Sequence, residues 1–79
     1  MQEPIIKLDL HRMTRPQAKV AIDSALRRAD SGTYRICVIH GSHGGDILQT
    51  MVRKTYGRHP KVLRMECGEG VTDLILREF

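Results

Sequence analysis

Seventy-nine residues make one domain at most, covering residues 1–79, and a chain this short buries only a modest core. Thirteen Lys and Arg against nine Asp and Glu give a net charge of +4, and 41% hydrophobic with 28% charged residues is the composition of an ordinary soluble domain whose basic surface suits polyanions. No segment approaches the ~18 uninterrupted apolar residues of a membrane span, and Met1-Gln2-Glu3-Pro4 lacks the basic start and apolar run of a secretory signal, so the expectation is a cytoplasmic protein without a membrane partner.

Ile6, Leu8 and Leu10 alternate with Lys7 and Asp9, a period of two that predicts a first strand ending near His11. Thr14, Pro16 and Gln17 then read as a helix start: a threonine cap, a proline in the first turn and a glutamine completing a capping box. Ala18, Ala21, Ile22, Ala25, Leu26 and Ala29 recur at helical spacing, with Lys19, Asp23, Arg27 and Arg28 outside, until Ser31-Gly32 ends the helix. Tyr34 to Ile39 carries apolar side chains on both faces, which predicts a central strand covered by helices.

A run of His40-Gly41-Ser42-His43-Gly44-Gly45 breaks the chain. Ile47, Leu48, Met51, Val52 and Tyr56 predict a second amphipathic helix, closed by Gly57. After Pro60, Lys61 to Met65 reads as a third strand, Gly68-Glu69-Gly70 as a turn, and Val71 to Leu76 as a fourth strand with Leu74 and Leu76 on one face. The order β-α-β-α-β-β predicts an α/β two-layer sandwich: a mixed four-stranded sheet, its last pair a hairpin, carrying two helices. Strand order is not fixed by the sequence. Cys37 and Cys67 give no disulfide framework and read as free thiols, Cys37 as a small core residue; Met13, Met51 and Met65 read as core fillers and His59 as a surface residue.

In such a chain the loops leaving the carboxyl ends of the strands share one edge of the sheet, the usual ligand edge. His11, His40 and Gly68-Glu69-Gly70 all fall there. Gly41, Gly44 and Gly45 precede the second helix, where free backbone N–H groups and the helix dipole favour a phosphate, and Ser42 and His43 lie in the same loop. Arg12 and Arg15 bring guanidinium groups to the same place. Asp9, two residues before His11, shares its strand face and can orient the ring. Two histidines around a phosphodiester suit RNA cleavage, one removing the 2′-OH proton and the other protonating the departing oxygen. A zinc site from His40 and His43 with His11 or Cys67 shows no evident tetrahedral ligand set, so no metal or other cofactor is implied.

Leu8-Asp9-Leu10-His11, and then Val38-Ile39-His40-Gly41 before a glycine-rich loop, resemble the two signatures of the Smr (small MutS-related) domain family. The likeness runs through nearly the whole chain and includes the closing Gly-x-Gly followed by Thr72 and an apolar strand. It implies a fold similar to the carboxyl-terminal domain of translation initiation factor 3, and a nucleic-acid-binding domain acting as an endonuclease on RNA or structured DNA, RNA being favoured. It implicates Asp9 and His11 from the first motif, and His40, Gly41 and the following loop from the second. The chain departs from the family at Arg12, where glycine is usual, and in the loop, whose later glycines are Gly44 and Gly45. The alternative is a noncatalytic module that docks on RNA or on a ribosome-bound partner.

Overall fold

Thr14 begins the first helix as its spacing predicts: its hydroxyl accepts from the Gln17 amide at 3.3 Å, and the Gln17 side chain accepts from the Thr14 amide at 3.0 Å. In the computed structural model, which describes residues 4–41 and 46–78, the elements are β1 (Ile5–Asp9), α1 (Arg15–Arg28), β2 (Arg35–Ile39), α2 (Ile47–Tyr56), β3 (Arg64–Gly68) and β4 (Val71–Ile75). The sheet order is β1-β2-β4-β3, with β1 and β2 parallel and β4 antiparallel to both of its neighbours. This is the mixed four-stranded sheet with a terminal hairpin that the sequence predicts.

Both helices lie on one face. Ile6, Leu10, Ile36, Val38 and Leu74 from the sheet form one buried cluster with Ala18, Ile22, Ala25 and Leu26 of α1 and Val52 and Tyr56 of α2. Tyr56 is 1% exposed, and its hydroxyl reaches Asp23 Oδ1 at 2.7 Å, which ties α2 to α1. Met51 and Met65 pack against this cluster, whereas Met13 is exposed. Among the described residues no helix is long and apolar enough to cross a membrane.

Three expectations need correction. β2 is central, but helices cover only one of its faces; its second apolar set is a half-buried Cys37 and an exposed Ile39 on the open face, so Cys37 is not part of the helix-side core. The third strand begins at Arg64, not Lys61, because the preceding residues stay tied to the end of α2: the Lys61 amide donates to His59 Nδ1 and the Val62 amide to the His59 carbonyl. Pairing with β4 starts only where the Leu63 amide meets the Ile75 carbonyl at 2.8 Å.

Gly57 does close α2, yet in a right-handed conformation (φ −62°, ψ −21°), so its glycine is not there for a left-handed cap. What it provides is room. A Cβ would stand 2.6 Å from the Arg53 carbonyl oxygen and 2.9 Å from Met65 Cε. Although alanine is the better helix former by ~1 kcal/mol, Gly57→Ala is expected to destabilise the domain by about 1–3 kcal/mol, seen as a lower unfolding temperature in calorimetry.

Candidate functional site

The register sets the edge. Asp9 pairs with Ile39, Ile39 with Val71, and Val71 with Gly68, so the carboxyl ends of β1, β2 and β3 lie in one row beside the amino end of β4. The Gly70 carbonyl, in a turn where Gly70 takes φ +74°, accepts from both the His40 and Gly41 amides at 3.0 Å. The Gly68-Glu69-Gly70 turn is thereby fastened to the first residues of the glycine loop. Gly41 follows with φ +83°, and no atom of the described residues stands within 4 Å of where its Cβ would be, a conformation that suits close approach to the backbone. Ser42, His43, Gly44 and Gly45 lie outside the described residues.

Asp9 and His11 form an exposed pair. Asp9 Oδ1 meets His11 Nδ1 at 2.5 Å and also accepts from the His11 amide at 3.1 Å, with both side chains more than half exposed. The hydrogen bond from the ring, then that from the amide, holds the Asp9 carboxyl below its ordinary value. Asp9 therefore stays ionised as pH falls into the usual carboxylate range, and the stabilising effect of the contact fades only as pH drops through the depressed value. An ionised Asp9 can only accept, so Nδ1 carries a proton and Nε2 is left to exchange one with a ligand.

Arg12 is the third residue of a turn closed by the Met13 amide on the Leu10 carbonyl at 2.9 Å, and it sits at φ +71°. This is a glycine conformation held by an arginine. Arg15 opens α1 beside it, and both are exposed.

His40 differs in kind. It is 6% exposed, its Nε2 stands 2.9 Å from Thr72 Oγ1, and its Nδ1 is 3.2 Å from the Gly41 carbonyl. Arg53 Nε donates to the same Thr72 oxygen at 3.0 Å, and its Nη2 donates to the Gly68 carbonyl at 3.0 Å. A neutral His40 satisfies both neighbours in one way: Nδ1–H donates to Gly41, and Nε2 accepts the Thr72 hydroxyl proton. The expectation that the two imidazoles face a common ligand thus meets a difference. His40 follows the last strand pair, Asp9 with Ile39, and continues the helix-facing set Ile36 and Val38, whereas Asp9 and the ring it holds belong to the opposite face of the pleat. The edge is shared, but the sides are not.

Arg53 is the residue that sequence reasoning missed. It lies within an amphipathic helix with no motif around it, yet it reaches across to β4 and the β3–β4 turn. Among the described residues no group of three or more His, Cys, Asp or Glu is arranged to hold a metal ion.

A two-layer α/β domain with a histidine and glycine edge is the class these features define. The family model for the Smr domain matches residues 8–73, and the chain belongs to that family, one associated with nucleic-acid binding and nuclease activity. Its structure is similar to the Smr domain of Thermus thermophilus MutS2, with a TM-score of 0.81 and 26% identity over 92% of this chain and 99% of that one. No curated protein matches the chain.

Two stability measurements test the local geometry. Thr72→Val keeps the shape but strands His40 Nε2 and Arg53 Nε, so it is expected to cost about 1–3 kcal/mol in denaturant unfolding, whereas Thr72→Ser, which keeps the hydroxyl, should stay near wild type. Arg12→Gly should instead raise stability by up to ~1 kcal/mol, the balance of relieved left-handed strain against the extra freedom of glycine in the unfolded chain; a loss of stability would show that the Arg12 side chain makes contacts that outweigh the strain.

Proposed function

We propose that this Smr domain binds RNA at the edge formed by His11, Arg12, Arg15, Gly41 and the Gly68-Glu69-Gly70 turn, and cleaves it with His11 as the proton-transfer group and Asp9 as its orienting partner. The observation that carries this reading is the exposed Asp9–His11 contact at 2.5 Å, on the edge to which two arginines and a positive-φ glycine also belong. An imidazole fixed through Nδ1 presents Nε2 as a base. It removes the proton of a ribose 2′-OH, the 2′-oxygen attacks the adjacent phosphorus, and the P–O5′ bond breaks with the departing oxygen taking a proton from solvent or from the imidazolium. The product ends are a cyclic phosphate and a 5′-hydroxyl. RNA is favoured over DNA because this chemistry uses the 2′-OH as its nucleophile.

His40 enters as a positioning residue that holds Gly41 and the β3–β4 turn together through Thr72. Gly44, Gly45, Ser42 and His43 are proposed to complete the phosphate contacts, Gly41 opening that loop. One observation favours a second reading, a module that binds RNA or a ribosome-bound partner without cutting: the burial of His40, with both ring nitrogens engaged, removes one of the two proton-transfer groups that the sequence offered.

Incubation of labelled RNA with wild type and His11→Ala separates the two. Cleavage by His11 gives cyclic-phosphate ends and a rate that falls by about 10²–10⁴ in the variant, with affinity nearly kept. Equal product from both proteins, or none from either, removes the nuclease assignment. Affinity that does not weaken between low and moderate salt removes the nucleic-acid assignment as well.

A further inference from the structure

The charge of this protein is divided by layer. Residues 15–28 and 46–61, which supply the two helices and the turn after α2, hold eight Lys and Arg against two Asp; all other residues hold five against seven. The helix layer is therefore strongly basic, and the remainder is slightly acidic. The arginines on the open sheet face are also neutralised in place: Arg35 meets Asp73 at 2.8 Å and Glu66 at 3.4 Å, while Arg64 meets Glu66 at 2.9 Å and pairs with Glu78. On the helix layer the side chains of Arg27, Arg28, Lys54 and Arg58 make no hydrogen bond or close ion pair with another described residue, although Arg27 acts on Asp23 at longer range.

Within that layer, a groove between α1 and the end of α2 is lined by Lys19, Arg27, His59 and Lys61 around Tyr56 and Asp23. Asp23 does not oppose an incoming anion at full strength, because Lys19 holds its Oδ2 at 2.8 Å and the Tyr56 hydroxyl holds its Oδ1 at 2.7 Å. His59 stacks on Tyr56 with ring centroids 6.0 Å apart. Its Nδ1 accepts from the Lys61 amide at 3.1 Å, so Nε2 carries the proton and is a donor. Lys19 is shared with Asp23 and the Lys61 ammonium donates to the Leu26 carbonyl at 2.9 Å, so with Arg27 and the His59 donor the groove keeps a net positive charge beside a carboxylate already bonded.

This groove lies at the other end of the molecule from the His11 edge. α1 starts at that edge with Arg15 and runs to Arg28, and twelve residues of helix from Arg15 to Arg27 span ~18 Å. Arg15, Lys19, Asp23 and Arg27 recur every four residues, so they form one stripe along the helix from the edge to the groove. An anionic strand held at the edge would follow the stripe; the open sheet face, with its arginines paired, offers no comparable track.

We propose that the Lys19, Arg27, His59 and Lys61 groove is a second phosphate-binding site for the same nucleic acid, an anchor reached by strands long enough to cross the helix layer from the His11 edge. Since ~18 Å corresponds to about six base pairs of A-form axial rise, a structured RNA reaches both sites and a very short one only the edge. The groove contacts backbone, so it adds affinity without sequence preference.

Because it rests on the nucleic-acid reading above, the test has to tell the two failures apart. Affinities of wild type, Arg27→Ala, Arg27→Lys and Lys7→Ala are measured for an RNA hairpin of about 12 base pairs across a salt series, and for a trinucleotide by chemical-shift titration. The Arg27 side chain makes no hydrogen bond with a described residue, so its replacement should keep the fold and lower the unfolding temperature by a few degrees at most, through the loss of a cation from the last turn of α1 beside Asp23. Loss of one phosphate contact is expected to weaken hairpin binding about five- to tenfold near 0.1 M salt and to lower the salt slope by about 0.7–0.9. Arg27→Lys should restore most of the affinity, Lys7→Ala on the open sheet face should match wild type, and the trinucleotide should bind wild type and Arg27→Ala alike. Hairpin binding that is intact in Arg27→Ala overturns the groove and leaves the edge standing, and so does a larger loss in Lys7→Ala, which would route the strand over the sheet. No binding of hairpin or trinucleotide by wild type overturns the nucleic-acid reading itself.

Discussion

The Thr72 hydroxyl is the point on which the edge depends. It stands 2.9 Å from His40 Nε2 and 3.0 Å from Arg53 Nε, joining the end of β2, the middle of α2 and the start of β4 through one oxygen. Thr72 is fully buried, so water does not compete for these partners. The consequence reaches the backbone. Arg53 also donates to the Gly68 carbonyl, and Gly70 receives the amides of His40 and Gly41, so the loop after β2 and the turn after β3 are held as one piece. If the loop after β2 receives a phosphate, as proposed, its N–H groups need setting in advance, and this buried cluster sets its first residues, His40 and Gly41.

That arrangement explains why two histidines at the same edge have separate work. In a strand pleat adjacent positions point to opposite faces, and the pairing of Asp9 with Ile39 puts His40 opposite Leu10. Leu10 is fully buried, and its neighbour goes with it into the helix layer. His11 comes one residue later, outside the strand, and is drawn back onto the face of Asp9 by their hydrogen bond. One ring is a fixed structural link, and the other is exposed with no partner on Nε2 among the described residues.

Much of this was legible in the residues. The capping box at Thr14 and Gln17, the alternation in β1 and the amphipathic run from Ile47 to Tyr56 each follow from local chemistry, and each formed where its pattern lies. The burial of His40 was not, because Tyr34 to Ile39 is apolar on both faces and its spacing from Ile36 and Val38 decides a side only once one face is covered. What remained hidden depended on contacts distant in the chain. Lys61 to Leu63 has strand composition, but the His59 ring and carbonyl hold it as a turn. Arg53 looks like any helix-surface cation until β4 is placed beside it, and nothing in a local window states that only one face of β2 is covered.

Arg12 shows how charge and backbone strain trade against each other at this edge. Its φ of +71° belongs to the left-handed region, where a side chain costs roughly 1–2 kcal/mol that glycine would avoid. Strain of this kind persists only where the surroundings impose it, and here the turn from Leu10 to Met13 must bend the chain from β1 into the cap of α1 within four residues. A glycine would make that turn more easily but would leave the edge one cation poorer, next to the imidazole that a phosphodiester would approach. The same turn brings Arg12 close to Arg15, at the head of the basic stripe on α1, so the strained residue adds its charge at the junction between the His11 edge and the helix layer. Position, not the total of +4, is what makes such a charge useful: a single exposed guanidinium acts within about a Debye length of ~8–10 Å, which covers the edge and falls short of the far groove.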